Sequence, residues 1–181
     1  MNYSAAILSL YPDAVPLTDF VLSQPWGKPT EIIKWNSAKL GSQPTLAQLE
    51  AAWPAAQLQA ARTAQLALVT DSAAAAMTGG FQSSALGAAH TYPSTLTDQH
   101  NLSGSVVGSL LPNLPSTWTT PFWCKNSSGV WAMVEHTAAQ IQQVGIDGKA
   151  WITTCQQQKA SLDARINAAT TVSAVQSVLW S

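Results

Sequence analysis

Charged side chains are scarce in this sequence. Only 9% of its 181 residues are Asp, Glu, Lys or Arg, against about a quarter in average globular proteins. Proteins that bind nucleic acid neutralise its phosphates with a dense basic face, and eight Lys and Arg residues in a chain of net charge -1 cannot supply one. We therefore predict no nucleic-acid binding. Weak charge repulsion leaves association with other chains unopposed, and self-association into a homo-oligomer stays open.

Long apolar runs and paired cysteine motifs are also missing. No apolar stretch approaches the roughly 18 residues that a membrane span needs, and no basic segment followed by an apolar run opens the chain. We predict synthesis in a cytoplasm without membrane insertion. Cys124 and Cys155 lack CxxC spacing, which predicts free buried thiols. A disulfide, within or between chains, would require exit from the reducing compartment.

The sequence carries no familiar catalytic or metal-binding motif. His90, His100 and His136 are its only imidazoles, and none lies four residues from another. GxSxG, HExxH and glycine-rich phosphate loops are absent. Asp98-Gln99-His100-Asn101 places acid and base types side by side, but adjacent helical residues point in different directions. We predict no enzyme activity, no metal and no cofactor, and we expect Asp98 and Asn101 to serve in capping or in the core.

Two stretches have strong helical patterns. The first, from Thr137 to about Ala169, opens with a capping box of Thr137 and Gln140. Its apolar stripe comprises Ile141, Val144, Gly148, Trp151, Ile152, Cys155, Leu162, Ile166 and Ala169. The second runs from Thr45 to residue 78, opens with a capping box of Thr45 and Gln48, and ends at Gly79-Gly80. Within it, Pro54 predicts a break at Trp53, a kink, or the first turn of a new helix.

Extended segments flank turn-forming residues in two places. Phe20 to Ser23 and Glu31 to Trp35 enclose Gln24-Pro25-Trp26-Gly27-Lys28-Pro29, and Trp118 to Cys124 and Val130 to Glu135 enclose Lys125 to Gly129. Both patterns predict two-stranded hairpins. Between them, His90 to Pro93 is predicted to be extended and Thr97 to Leu110 helical, and Thr170 or Thr171 is predicted to cap a last short helix.

These elements predict a mainly α protein with small β-hairpins, of the α+β class. The long C-terminal helix is expected to pack with the second helical stretch and the aromatic hairpin. We predict two domains, a helix-plus-hairpin docking unit of residues 1–45 and a mainly helical domain of residues 46–181. Of the eight tryptophans, core filling suits most. Those in or beside the hairpins are predicted partner contacts, namely Trp26, Trp35, Trp118, Trp123 and Trp131.

Several motifs in their order resemble a domain of unknown function found in tailed-bacteriophage tail proteins, over about residues 60 to 181. They are Phe81 to Gly87, His90 to Pro93, Thr97 to Leu102, Phe122 to Cys124, Gly129 to Trp131, His136 to Gln140 and the closing Leu162 to Val172 pattern. The resemblance implies structural roles for His90, Tyr92, Asp98, Gln99, Asn101, Thr137 and Gln140.

The first fifty residues resemble a second group, the small tail proteins of PBSX-type prophages. They are also similar in sequence to the N-terminal segments of phage tail assembly chaperones. The resemblance rests on Tyr11-Pro12-Asp13-Ala14, Trp35-Asn36 and Pro44 to Glu50.

These resemblances imply a non-enzymatic adaptor or accessory subunit of the tail fibre or baseplate, the apparatus of host attachment. Such a protein would be made in the host bacterial cytoplasm, reside in the virion tail and bind other tail proteins. The alanine-rich stretch near Ala73 and the hairpin of Trp123 to Trp131 would be its contact surfaces. One alternative is a tail-fibre assembly chaperone that stays in the host cytoplasm. Another is an enzyme that degrades host-surface polysaccharide, which would require two facing carboxylates.

Overall fold

The computed structural model of the protein describes residues 1–181. Its helices and strands, in chain order, are α1 (Tyr3–Leu10), β1 (Phe20–Ser23), β2 (Glu31–Trp35), α2 (Ser37–Leu40), α3 (Leu46–Thr78), β3 (Phe81–Ser83), β4 (His90–Tyr92), α4 (Leu96–Ser109), β5 (Thr119–Lys125), β6 (Trp131–Thr137), α5 (Ala138–Ala168) and α6 (Val172–Gln176). Two small antiparallel sheets accompany the helices, which confirms the predicted α+β class. None of the helices combines the length and apolar character that crossing a bilayer requires.

The chain forms two compact units. Unit 1 comprises Met1–Leu66 and Arg165–Val178, and unit 2 comprises Ala67–Ala164 and Leu179–Ser181. Helices α3 and α5 each contribute residues to both units. The division into residues 1–45 and 46–181 expected from the sequence stays a prediction.

Unit 1 contains the predicted N-terminal helix and hairpin. Helix α1 begins where the Asn2 side chain accepts the Ala5 N–H at 3.1 Å, and it ends before Pro12, which disfavours helical geometry in the preceding residue. Strands β1 and β2 pair antiparallel from Phe20 opposite Trp35 to Ser23 opposite Glu31, which confirms the hairpin. The buried residues Ala6, Ile7, Ala14, Phe20 and Leu49 form its core.

Helix α3 corrects the prediction at Pro54. Its start is the predicted capping box, in which Gln48 Oε1 accepts the Thr45 N–H at 2.8 Å. A break at Trp53 and a new helix that begins at Pro54 are both wrong, because α3 continues through Pro54 to Thr78. The kink stays a prediction. Proline removes the hydrogen bond to the carbonyl four residues earlier. That carbonyl belongs to Glu50, an exposed residue, so water can take the place of the missing donor.

Unit 2 is built around a four-stranded antiparallel sheet of order β3-β4-β5-β6. The predicted aromatic hairpin is its β5–β6 pair, in register from Thr119 opposite Thr137 to Lys125 opposite Trp131. The hairpin is thus confirmed, and it is extended on one side because β4 pairs with β5 where Thr91 lies opposite Lys125. The core consists of Phe81, Tyr92, Leu102, Phe122, Cys124, Ile141 and Val144.

Helix α5 follows the sheet as predicted. Gln140 Oε1 accepts the Thr137 N–H at 2.9 Å, so the capping box is present. The predicted stripe is buried at Ile141, Val144, Cys155, Leu162 and Ile166. Trp151 is partly exposed instead, and its indole N–H donates to the Ala76 carbonyl at 3.0 Å. The polar edge of the indole thus has its acceptor, while 37% of the residue is open to solvent.

Candidate functional site

The buried polar pair of unit 2 is Tyr92 and His136. The Tyr92 hydroxyl lies 2.8 Å from His136 Nε2, and His136 Nδ1 lies 2.8 Å from the Val134 carbonyl. Since a carbonyl only accepts, Nδ1 carries the proton and Nε2 accepts from the Tyr92 hydroxyl. Burial lowers the pKa of His136 and raises the pKa of Tyr92. The pair is therefore neutral, and both imidazole nitrogens are satisfied inside the core.

The other histidines lie elsewhere. His90 Nδ1 is 2.9 Å from the Ala88 carbonyl, beside the start of β4, and His100 is exposed on α4. No three His, Cys, Asp or Glu side chains gather closely enough to hold a metal ion. Cys124 and Cys155 are free and buried, and burial raises the pKa of both thiols.

The first turn of α4 contains Asp98 and Gln99 of the polar motif Asp98-Gln99-His100-Asn101. Asp98 Oδ2 accepts the Thr95 N–H at 3.0 Å, and Thr95 Oγ1 accepts the Asp98 N–H at 3.3 Å. Gln99 Nε2 donates to the Ser94 carbonyl at 2.9 Å. Asp98 and Gln99 thus fix the start of the helix, while Asn101 is exposed.

A shallow polar and aromatic groove lies between α4 and the sheet. It encloses about 540 Å³ and is lined by Asp98, His100 and Asn101 on one side and by Trp118, Trp123 and Met133 on the other. Asp98 is the only carboxylate in its lining. A glycosidase of the usual kind needs two facing carboxylates, which this groove does not offer.

The outer face of the β5–β6 pair is the main exposed aromatic surface of unit 2. Because side chains alternate along a strand, Phe122 and Cys124 point into the core while Trp123, Trp131 and Met133 point outward with about half of each exposed. We call these three residues the aromatic face. Trp123 lies opposite Met133 in the ladder, and Lys125 Nζ lies 5.5 Å from the Trp131 ring centroid, within cation–π range.

The remaining predicted tryptophan contacts differ in their surroundings. Trp26 is fully exposed at the turn between β1 and β2. Trp35 donates its indole N–H to the Gly41 carbonyl at 2.8 Å and meets the Tyr11 ring edge-on at 5.1 Å. Trp118 packs partly against the core of unit 2. Exposure therefore separates Trp26, Trp123 and Trp131 from the more enclosed Trp35 and Trp118. Ala73, which lies in the other contact surface expected from the sequence, is fully buried.

Sequence reasoning missed a polar cluster in unit 1 that is centred on Asp19. Its carboxylate accepts hydrogen bonds from the Lys39 ammonium at 2.5 Å, from the Val15 N–H at 2.9 Å and from the Asn36 side-chain amide at 2.9 Å. The bond from Lys39 in particular holds the pKa of Asp19 at about 2. The motif Trp35-Asn36 could have pointed to this cluster, because Asn36 contacts Asp19 and also caps α2 by accepting the Lys39 N–H.

Comparison with known protein families assigns most of the chain. Residues 57–178 match the family described as Domain of unknown function (DUF4376), which is more than half of the sequence. The chain belongs to this DUF4376 family. Residues 3–61 match the family described as XkdW protein, which confirms the resemblance of the N-terminal segment to PBSX-type phage proteins. Together the two matches support a phage-associated protein. Searches of curated proteins and of solved structures returned no match.

The two family segments coincide with the two sets of polar contacts. The DUF4376 segment contains the Tyr92–His136 pair and the capping residues of α4 and α5. The XkdW segment contains the Asp19 cluster and the Tyr11–Trp35 contact. The motif residues that are engaged in these contacts hold elements in place. Trp26, Trp123 and Trp131 lie outside these contacts and are exposed to solvent.

Proposed function

We propose that this protein is a non-enzymatic component of the bacteriophage tail, an adaptor or accessory subunit of the tail fibre or baseplate that binds other tail proteins. The phage context comes from the two family matches. The observation that carries a binding role is the aromatic face, where Trp123, Trp131 and Met133 stand half-exposed side by side on two paired strands. Tryptophan and methionine are enriched at the centres of protein interfaces.

The chemistry of the aromatic face suits a protein partner. Each indole offers a large rigid surface at a small cost in conformational entropy, together with one N–H donor. Lys125 lies over the Trp131 ring at the margin of the face and can meet an acidic group at the rim of an interface. Trp26, fully exposed at a hairpin turn of unit 1, supplies a second anchor of the same type.

Purified virions provide the first experiment. Quantitative mass spectrometry of the particles of the parent phage should detect the protein at a fixed ratio to the tail-fibre or baseplate proteins. An assembly chaperone would instead be present in infected cells and absent from mature particles, which would replace the adaptor proposal with the chaperone alternative.

A variant experiment tests the aromatic face itself. The chain is co-expressed with each tail-fibre and baseplate protein of the same phage, and the retained partner is quantified by affinity capture. Trp123→Ala should weaken retention at least about tenfold, as expected for an interface hot spot. Leu46→Ala, which removes an exposed apolar side chain from α3, should leave retention unchanged. Equal retention by both variants would show that the partner binds elsewhere.

A further inference from the structure

Helices α4 and α5 form an apolar groove in unit 2 that shares no residue with the groove beside the aromatic face. It encloses about 740 Å³, and its apolar lining includes Leu102, Val106, Val107, Leu110, Ile146 and Ile152. We call it the α4–α5 groove. Three of its side chains are far more exposed than core residues, with 62% of Val107, 65% of Leu110 and 62% of Ile146 open to solvent. Contiguous apolar surface that is left exposed is a candidate interaction site.

Each uncharged polar side chain that lines this groove already donates a hydrogen bond to another group of the protein. The bonds run from Ser94 Oγ to the Met77 carbonyl, from Gln99 Nε2 to the Ser94 carbonyl, from Ser103 Oγ to the Gln99 carbonyl and from Gln142 Nε2 to Ser109 Oγ, at 2.7, 2.9, 2.9 and 3.1 Å. A ligand rich in hydroxyl groups would find few free donors here. The groove is therefore suited to apolar contacts.

Lys149 is the exception among the lining residues. It is the only charged residue of the groove, it is exposed, and its ammonium group makes no ion pair or hydrogen bond in the structure. A ligand that fills the groove would bring this cation close to its own surface. Charge complementarity then calls for an anion at that point of the ligand.

We propose that the α4–α5 groove binds an amphipathic helix of another protein, with apolar side chains at i, i+3 or i+4, and i+7 and an acidic residue opposite Lys149. Both walls of the groove are helices whose backbone groups bond within the helix, so an added β-strand would find no free edge to pair with. A helix needs only side-chain contacts along an apolar groove. This inference does not rest on the tail-adaptor proposal, because neither the aromatic face nor a tail partner enters it.

A displayed library of helix-forming peptides of about four turns, selected against the full-length protein, tests the groove directly. Enriched peptides should combine the apolar spacing with Asp or Glu. Fluorescence anisotropy should show at least about tenfold weaker binding to the Ile146→Gln variant. The matched control is Leu68→Gln, which changes an exposed apolar residue of α3 outside the groove and should bind like the wild type.

A charge exchange tests the acidic residue. Lys149→Glu should weaken the binding of an enriched peptide. Replacing the peptide's acidic residue with Lys should restore its binding to that variant. Peptides that bind Ile146→Gln and the wild type equally, or a library without an apolar and acidic consensus, would overturn the proposal. The proposal would also fail if analytical ultracentrifugation showed that the wild type is a dimer and that Ile146→Gln is a monomer. It would fail as well if the wild type bound phosphatidylcholine–phosphatidylglycerol vesicles and Ile146→Gln did not.

Discussion

The Tyr92 hydroxyl donates a hydrogen bond to His136 Nε2 across 2.8 Å, and both side chains are fully buried. Tyr92 lies on β4 and His136 on β6, which are separated in the sheet by β5. The bond therefore links two strands that share no backbone ladder. Because His136 Nδ1 already donates to the Val134 carbonyl, Tyr92 is the donor that Nε2 requires.

Replacing Tyr92 by Phe should destabilise the protein. The substitution keeps the ring but leaves His136 Nε2 as a buried acceptor without a donor, which costs about 1–3 kcal/mol. Urea denaturation followed by circular dichroism should show that decrease in the free energy of unfolding. The control is Tyr3→Phe on α1, where the hydroxyl has no partner inside the protein. A loss as large in the control as in Tyr92→Phe would mean that the bond contributes nothing.

The stability of unit 2 should decrease as the pH falls below about 6.5, the ordinary pKa of histidine. Burial lowers the pKa of His136 in the folded state, so the unfolded state binds a proton first. The contribution of the neutral imidazole is thus complete above that pH and is lost as the pH falls toward the folded-state pKa. Urea midpoints across this range measure it. His100→Gln, which removes an exposed imidazole, should keep the same dependence, and an unchanged midpoint in the wild type would contradict the prediction.

Gly148→Ala and Gly104→Ala should have opposite effects. A Cβ atom at Gly148 would lie 2.9 Å from Phe81 Cζ in the core, whereas one at Gly104 on α4 would meet nothing within 4 Å. Overpacking at Gly148 should cost a net of about 1–2 kcal/mol. Alanine at Gly104 should stabilise by up to about 1 kcal/mol through its higher helix propensity. Thermal unfolding of the two variants measures both signs, and two changes of equal sign would refute the packing argument.

Asp19→Asn should destabilise unit 1, because an amide cannot hold the Lys39 ammonium as a carboxylate does. The folded-state pKa of about 2 lies below the ordinary value of 3.8. The carboxylate's contribution is therefore complete above pH 3.8 and is lost as the pH falls toward 2. Melting temperatures at neutral and acidic pH should differ less in Asp19→Asn than in the wild type. Asp13→Asn, at an exposed carboxylate, should behave like the wild type.

Local patterns accounted for the helices and hairpins. The capping boxes of Thr45 with Gln48 and of Thr137 with Gln140 start α3 and α5 as predicted, because capping depends on residues three apart. The hairpin strands Phe20–Ser23 and Glu31–Trp35 also have the predicted bounds. In both cases the contacts that define the element lie close together in the sequence.

Contacts between distant residues could not be predicted in the same way. The β4–β5 pairing rests on Thr91 opposite Lys125, and no residue pattern near either position specifies the other. The effect of Pro54 depends on whether the Glu50 carbonyl can reach water, which is a property of the folded chain. For the candidate sites, the abundance of tryptophan in and beside the hairpins predicted the aromatic face. The α4–α5 groove was missed because its apolar residues resemble ordinary helix core until the two helices are placed side by side.

The continuity of α3 limits the positions at which the gene for this protein can exchange segments by recombination. The XkdW match ends at residue 61 and the DUF4376 match begins at residue 57, so both borders fall inside one uninterrupted helix. Each added residue turns the following side chains by about 100° around the helix axis. An insertion of one residue near position 60 would rotate the buried Val69 and Ala73 by about 100° relative to the earlier turns, whereas an insertion of about seven residues would nearly restore their direction. Exchange of the two segments between phage genomes should therefore succeed only at junctions that conserve helical phase.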